Sequence, residues 1–190
     1  MKNRIFKNTT ETILTDRLFL RQFTDADAPT MYQNWASDPE VTKYLTWPAH
    51  TDLRQTQEIV KIWVEGYQQS DFYQWAVVLK ATEQPIGSIG LVKCIPELRQ
   101  GEIGYCIGRQ YWNQRYATEA LTAVIDFLIK ECGFVMLEAK HDTRNHNSGK
   151  VMQKSGMTFR QTQHNAGVSK EGEVISFDCY EIKDTSIFQP

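Results

Sequence analysis

The chain has 190 residues, 41% hydrophobic and 23% charged, with a formal charge of -2. That is enough apolar material for one well-buried core and fits a single domain, 1–190, better than two, and so balanced a charge gives no global reason to expect a nucleic-acid partner. Cys94, Cys106, Cys132 and Cys179 lack Cys-x-x-Cys spacing, and neither a run of about 18 apolar residues nor a signal-like stretch after Lys2, Arg4 and Lys7 occurs, so the expectation is a soluble, cytoplasmic protein with reduced thiols and no membrane span.

In chain order, Leu18, Leu20 and Gln22 alternate with Phe19, Arg21 and Phe23 as in a strand. Asp25 is placed to cap a helix running to about Ala36. Helices are expected over residues 39–45 and 52–69, the second carrying Ile59, Ile62, Trp63 and Tyr67. Residues 73–79, 85–94 and 102–107 are rich in β-formers between polar turns and predict an antiparallel meander.

Ala117, Ala120, Leu121, Val124 and Leu128, with Phe127 alongside, then recur at helical spacing, so a helix starts near Tyr116. Its unpaired N–H groups fall in or just after Asn113, Gln114, Arg115 and Tyr116, where they and the positive end of the dipole can receive a phosphate. Residues 136–141 read as a strand, 145–155 as a helix ended by Gly156, and 157–165 with 173–181 as a closing strand pair. Only Met1 to Thr10 and the tail after Lys183 look loosely held. The order predicts a mixed α/β sheet with helices on both faces.

Five motifs stand along this frame: Arg-Leu-x-Leu-Arg at 17–21, Ile-Gly-x-Ile-Gly at 86–90, Gly-Glu-Ile-Gly-Tyr at 101–105, Tyr-Trp-x-x-x-Tyr-Ala-Thr-Glu-Ala at 111–120, and Asn-x-x-Ser-x-x-Val-Met-x-Lys-x-Gly-Met at 145–157. In this order and spacing, over residues 15–182, the chain resembles the GNAT superfamily of acetyl-CoA-dependent N-acetyltransferases, in particular the Rim-type branch that acts on ribosomal-protein N-termini. The resemblance implies a GNAT-type mixed, mainly antiparallel twisted sheet. It implies acetyl-CoA as cosubstrate and direct attack by a primary amine in a ternary complex, the amine being a protein N-terminal α-amine or a small molecule. The strands at 102–107 and 136–141 should splay to admit the pantetheine arm, with the backbone of Tyr105, Cys106 and Ile107 as its partners. Dimers are common in the branch, so a homodimer is an expectation; no membrane or nucleic-acid partner is expected. His141 and His146 lack metal-ligand spacing and no carboxylate cluster completes a site, so no metal is expected.

The family's pyrophosphate loop pattern, Gln/Arg-x-x-Gly-x-Gly/Ala, falls on residues 112–117, where Ala117 alone fits. Arg115 stands in place of a glycine, so a positive φ there would be strained, while its guanidinium could bind the pyrophosphate. Asn113, Gln114, Arg115, Tyr116, Ala117 and Thr118 are the candidate phosphate-binding residues.

Glu102 is the candidate general base, since the attacking amine must lose a proton. Alternation puts it on the face opposite Ile103 and Tyr105, and a surface ion pair is the competing reading. Asn145 can cap the helix it opens and, by the resemblance, contact the cofactor arm. Many relatives place a tyrosine acid seven positions after this Asn; here that residue is Met152, leaving Ser148 as candidate donor to the thiolate. The arginine in the loop and the missing tyrosine keep open a CoA-binding regulatory module without turnover. Nothing beside Cys106 points to an activated thiolate. Of the aromatic residues Trp35, Tyr44, Trp47, Phe72, Tyr73 and Trp75, Trp47 beside Pro48 is assigned to the substrate mouth and most of the rest to the core; Asp142 and Arg144 read as turn residues.

Overall fold

Strands apolar on both faces must be covered on both sides, and the computed structural model, which describes residues 7–184, shows this sandwich of helices about one sheet. The strands are β1 (Ile13–Leu14), β2 (Leu18–Arg21), β3 (Gln74–Leu79), β4 (Gln84–Ile95), β5 (Gln100–Ile107), β6 (Met136–Asp142), β7 (Thr158–Val168) and β8 (Val174–Lys183). The helices are α1 (Ala28–Met31), α2 (Pro39–Thr42), α3 (Leu53–Gly66), α4 (Tyr116–Lys130) and α5 (His146–Lys154). The sheet order is β1-β2-β3-β4-β5-β6-β8-β7, and every adjacent pair is antiparallel except β5 with β6.

Alternation in β3 divides the core. Trp75 and Val77 face one cluster with Leu121, Val124 and Leu128 of α4, while Ala76 and Val78 face a second cluster with Met31, Trp35 and Val60. No helix among the described residues is long and apolar enough to cross a membrane.

The first helical segment departs from expectation. Thr24, not Asp25, is the N-cap, and the backbone runs as a 3-10 turn over Asp25–Asp27, α1, then a π turn over Tyr32–Ala36. Asp27 fixes the cap: its carboxylate accepts both arms of Arg21 at 2.7 Å and the backbone N–H of Thr24 at 2.8 Å, while Asp25 stays exposed. The N-terminal stretch is also held more firmly than its composition predicts. Lys7 N–H bonds Glu131 O at 2.9 Å, and buried Thr10 donates its hydroxyl to Phe72 O at 2.8 Å. The remainder of that stretch and the far tail, residues 1–6 and 185–190, lie outside the described residues.

The feature that positions the site is the β5–β6 junction. The two strands pair in parallel only at Gln100↔Met136, Gly101↔Leu137 and Glu102↔Glu138. From Ile103 onward β5 keeps only β4 as a neighbour, and from Ala139 onward β6 keeps only β8. The sheet therefore opens at this point, as the resemblance implies.

Candidate active site

The opening leads into a cleft of about 450 Å³ bounded by β5, the loop before α4, the first turn of α4, α5 and the segment around α2. At one end lies the turn that precedes α4. Asn113 and Arg115 have φ of 61° and 66°, both left-handed. Arg115 occupies the N-cap of α4 without a side-chain capping bond. Its carbonyl accepts from Glu119 N–H at 3.0 Å, so the N–H groups of Tyr116, Ala117 and Thr118 have no acceptor within the described residues and line the cleft.

The strained turn is braced from outside. Arg17 donates Nη1–H to Gln114 O at 3.0 Å and Nε–H to Glu119 Oε2 at 2.8 Å, and its guanidinium lies 4.4 Å from the Tyr116 ring centroid. Glu119 also accepts the Thr15 hydroxyl at 2.6 Å. Burial alone would raise the Glu119 carboxyl; the bonds from Thr15 and Arg17 outweigh it and hold the group below the usual carboxylate range.

Lys150 and Lys154, one helical turn apart on α5, line the cleft together with Arg115, and none of the three has an ion-pair partner among the described residues. Sequence reasoning did not select these lysines. Their i,i+4 spacing after the Asn145 cap was the available signal. Uncapped N–H groups beside three unpaired cations are the donor set that a pyrophosphate ligand requires, so the residues present fit coenzyme A.

Toward the opening, Tyr105, Cys106 and Ile107 of β5 line the cleft together with Asn145, the N-cap of α5, and Ser148 in its first turn. Asn145 acts as N-cap, its side chain accepting Ser148 N–H at 3.4 Å. The Tyr105 phenol oxygen lies 2.9 Å from Ser148 Oγ and 3.1 Å from Ser148 O. Burial pushes the Tyr105 phenol well above its ordinary value, against the smaller opposing effect of its bond with Ser148. Cys106 packs toward the other face of the sheet, 3.4 Å from Ser88 Oγ, and burial pushes its thiol up. A thiol held protonated in this way is a poor nucleophile. The Ile107 carbonyl already accepts Trp112 Nε1–H at 2.7 Å.

A GNAT acetyltransferase domain model matches residues 17–158. The chain belongs to the GNAT acetyltransferase family. It is 32% identical over 142 residues, 75% of this chain and 79% of the other, to the uncharacterized N-acetyltransferase p20 of Bacillus licheniformis. Solved structures with the same fold include two bound to the cosubstrate or its product. RimL, a ribosomal α-N-protein acetyltransferase in complex with coenzyme A, superposes with a TM-score of 0.80 at 18% identity, covering 91% of this chain and 98% of that one. The microcin self-immunity acetyltransferase MccE, in complex with acetyl-CoA and AMP, gives 0.81 at 16% identity over 90% and 94%.

In this GNAT acetyltransferase the cleft gathers Tyr105, Cys106, Ile107, Asn113, Arg115, Tyr116, Ala117, Thr118, Asn145 and Ser148. Three candidates lie elsewhere. Gln114 is exposed and its side chain donates to Gln110 O at 3.1 Å. Trp47 packs against the second core cluster, its ring 5.2 Å from that of His50, while Tyr44 and Leu45 of the same segment line the cleft instead. Glu102 sits at the last paired register of β5 and β6, its carboxylate 3.1 Å from Lys140 Nζ, on the sheet face opposite Ile103. Asp142 and Arg144 form a local clamp, Arg144 N–H to Asp142 Oδ1 at 2.9 Å, and Arg144 continues to Glu173 at 2.8 Å, tying the turn before α5 to the β7–β8 hairpin.

Proposed function

We propose that the protein transfers an acetyl group from acetyl-CoA to a primary amine by direct attack in a ternary complex. The observation that carries this reading is the cleft itself, continuous from the uncapped start of α4 to the Tyr105–Ser148 pair where the sheet opens. Bound there, acetyl-CoA supplies the acetyl group already activated as a thioester. The N–H groups of Tyr116, Ala117 and Thr118, with Arg115, Lys150 and Lys154, hold its phosphates. Asn145 fixes the first turn of α5 against the arm. The half-buried Cys106 thiol, pushed up by desolvation and paired with Ser88, supports direct attack over a covalent acetyl-enzyme.

The amine approaches on the sheet face that carries Glu102. Its carboxylate, oriented by Lys140, accepts the amine proton through water, because two residues of strand, about 7 Å, separate Glu102 from Gly104 within the open part of β5. The acceptor we assign is a peptide N-terminal α-amine. A small amine is the second reading, favoured by the hairpin tip, where Lys170 Nζ bonds Thr42 O at 2.7 Å and narrows access beside α2.

At about 100 times its dissociation constant, acetyl-CoA should stabilise the fold by roughly 2.7 kcal/mol, raising the melting temperature by about 5–11 °C. Coenzyme A release is then followed with a free-N-terminus peptide, a polyamine and single amino acids. Absence of a melting shift would overturn the assignment, and a shift without release from any amine would favour a regulatory module.

A further inference from the structure

Tyr105 and Ser148 are 43 positions apart, yet their hydroxyls form one unit across the cleft. A phenol has one proton to donate and lone pairs to accept. With that proton on the Ser148 carbonyl, 3.1 Å away, the serine Oγ–H turns back toward Tyr105. With the proton on Ser148 Oγ, 2.9 Å away, the serine hydroxyl is released to donate into the cleft, and the bond it accepts polarises its own O–H. Both acceptors are within reach, so negative charge in front of Ser148 selects the second arrangement.

We propose that Tyr105 is a positioning residue for acetyl transfer: it turns the Ser148 hydroxyl toward the sulfur of the departing coenzyme A and, through that hydroxyl, stabilises the thiolate. The proposal rests on the acetyl-CoA reading above. As the amine nitrogen bonds to the thioester carbonyl carbon, the C–S bond breaks and its electron pair stays on sulfur. The amine proton leaves to Glu102 or water, while Tyr105 and Ser148 each keep their own. Burial suits Tyr105 to this work, since a phenol held protonated across the neutral range remains a donor throughout.

The backbone is built to bring the pair together. A Cβ on Gly149 would lie 2.6 Å from His141 Nε2, so the glycine next to Ser148 lets α5 settle onto β6 within reach of Tyr105. The Asn145 side chain holds Ser148 N–H at 3.4 Å and fixes the residue in the first turn. Met152, where many relatives carry the acid, is buried and apolar.

Coenzyme A is itself the probe. The thiolate absorbance of coenzyme A bound to the full chain is titrated against pH, with the ligand-free titration subtracted to remove the four cysteines. Wild type, Tyr105→Phe, Ser148→Ala and the double variant are compared. Phe keeps the ring packed in the first core cluster and deletes only the hydroxyl. Lys43, Lys150 and Lys154 also line the cleft and act alike on all four proteins, so differences among them isolate the hydroxyls.

The bound thiol should titrate about one pH unit lower in wild type than in Tyr105→Phe. Ser148→Ala should raise it at least as far, and the double variant no further than Ser148→Ala, because Tyr105 acts through the serine. Equal midpoints for wild type and Tyr105→Phe, or additive shifts in the double variant, would overturn the proposal. Wild type that does not bind coenzyme A would instead overturn the acetyl-CoA reading, and the proposal with it.

Discussion

Arg115 offers two separable predictions because its backbone and its side chain work in opposite directions. An L-residue in the left-handed region costs about 1–2 kcal/mol, and Arg115 sits there with φ of 66° and ψ of 11°. Glycine removes that cost but loses about 0.5–1 kcal/mol to its greater freedom in the unfolded chain, so Arg115→Gly should stabilise the ligand-free protein by up to about 1.5 kcal/mol. For a domain of this size that is a rise of up to about 6 °C in melting temperature. The same substitution deletes a guanidinium that we place on the pyrophosphate. A charge-assisted hydrogen bond is worth about 1.5–3 kcal/mol, so coenzyme A should bind about ten- to a hundredfold more weakly. Arg115→Ala removes the same charge while leaving a side chain in the strained conformation, so its affinity should fall equally without the gain in melting temperature. Calorimetric titration with coenzyme A and with pantetheine, which lacks the phosphates, reads the charge; thermal unfolding without ligand reads the backbone. Pantetheine binding should be unaffected, and 1 M salt should shrink the difference between the variants and wild type. Equal losses for coenzyme A and pantetheine would refute a phosphate role for the guanidinium, and a lower melting temperature in Arg115→Gly would refute the strain.

Glu102→Gln should lower turnover by about 10²–10⁴-fold at neutral pH with little change in coenzyme A affinity, and the loss should shrink as pH rises and more of the amine is already neutral; a near-wild-type rate with chemistry limiting would exclude the carboxylate as base. Arg17→Ala should loosen the turn before α4, lowering the melting temperature by a few degrees and weakening coenzyme A, since it removes the bonds to Gln114 O and Glu119 together. Burial alone would raise the Asp27 carboxyl, but Arg21 and Thr24 outweigh it and hold it below its usual value. A depressed folded-state value means the stabilisation is full above the unfolded carboxyl pKa of about 3.9 and is lost as pH falls through the folded value. Urea unfolding between pH 6 and 3 should therefore show an acid loss in wild type that Asp27→Asn lacks, at about 1–3 kcal/mol lower stability near neutral pH.

Local pattern determined a large part of this protein. The spacing of Ala117, Ala120, Leu121, Val124 and Leu128 placed the start of α4 at Tyr116, and Gly156 ends α5 with φ of 87°. Asn145 caps that helix as its residue type predicts. Caps, turns and periodicity act within a few residues, so they are written in the neighbouring sequence. The strain at Arg115 was legible for the same reason, because a family position that needs a glycine carries an arginine.

Contacts between distant segments belong to the tertiary structure. Arg17 reaches Glu119 across 102 positions, Tyr105 meets Ser148 across 43, and Lys140 comes to Glu102 across 38 because β6 starts parallel to β5 before the strands part. Alternation along β5 gave the face on which Glu102 lies but not the cation that meets it there. Trp47 shows the same limit: an aromatic residue beside a proline reads as a loop residue at a mouth, yet Trp47 packs against the second core cluster while Tyr44 and Leu45 line the cleft. Periodicity encodes which face of an element is apolar. The partner that covers each face, and the charges that converge in the cleft, are set only when the sheet order and the parting of β5 from β6 bring those faces together.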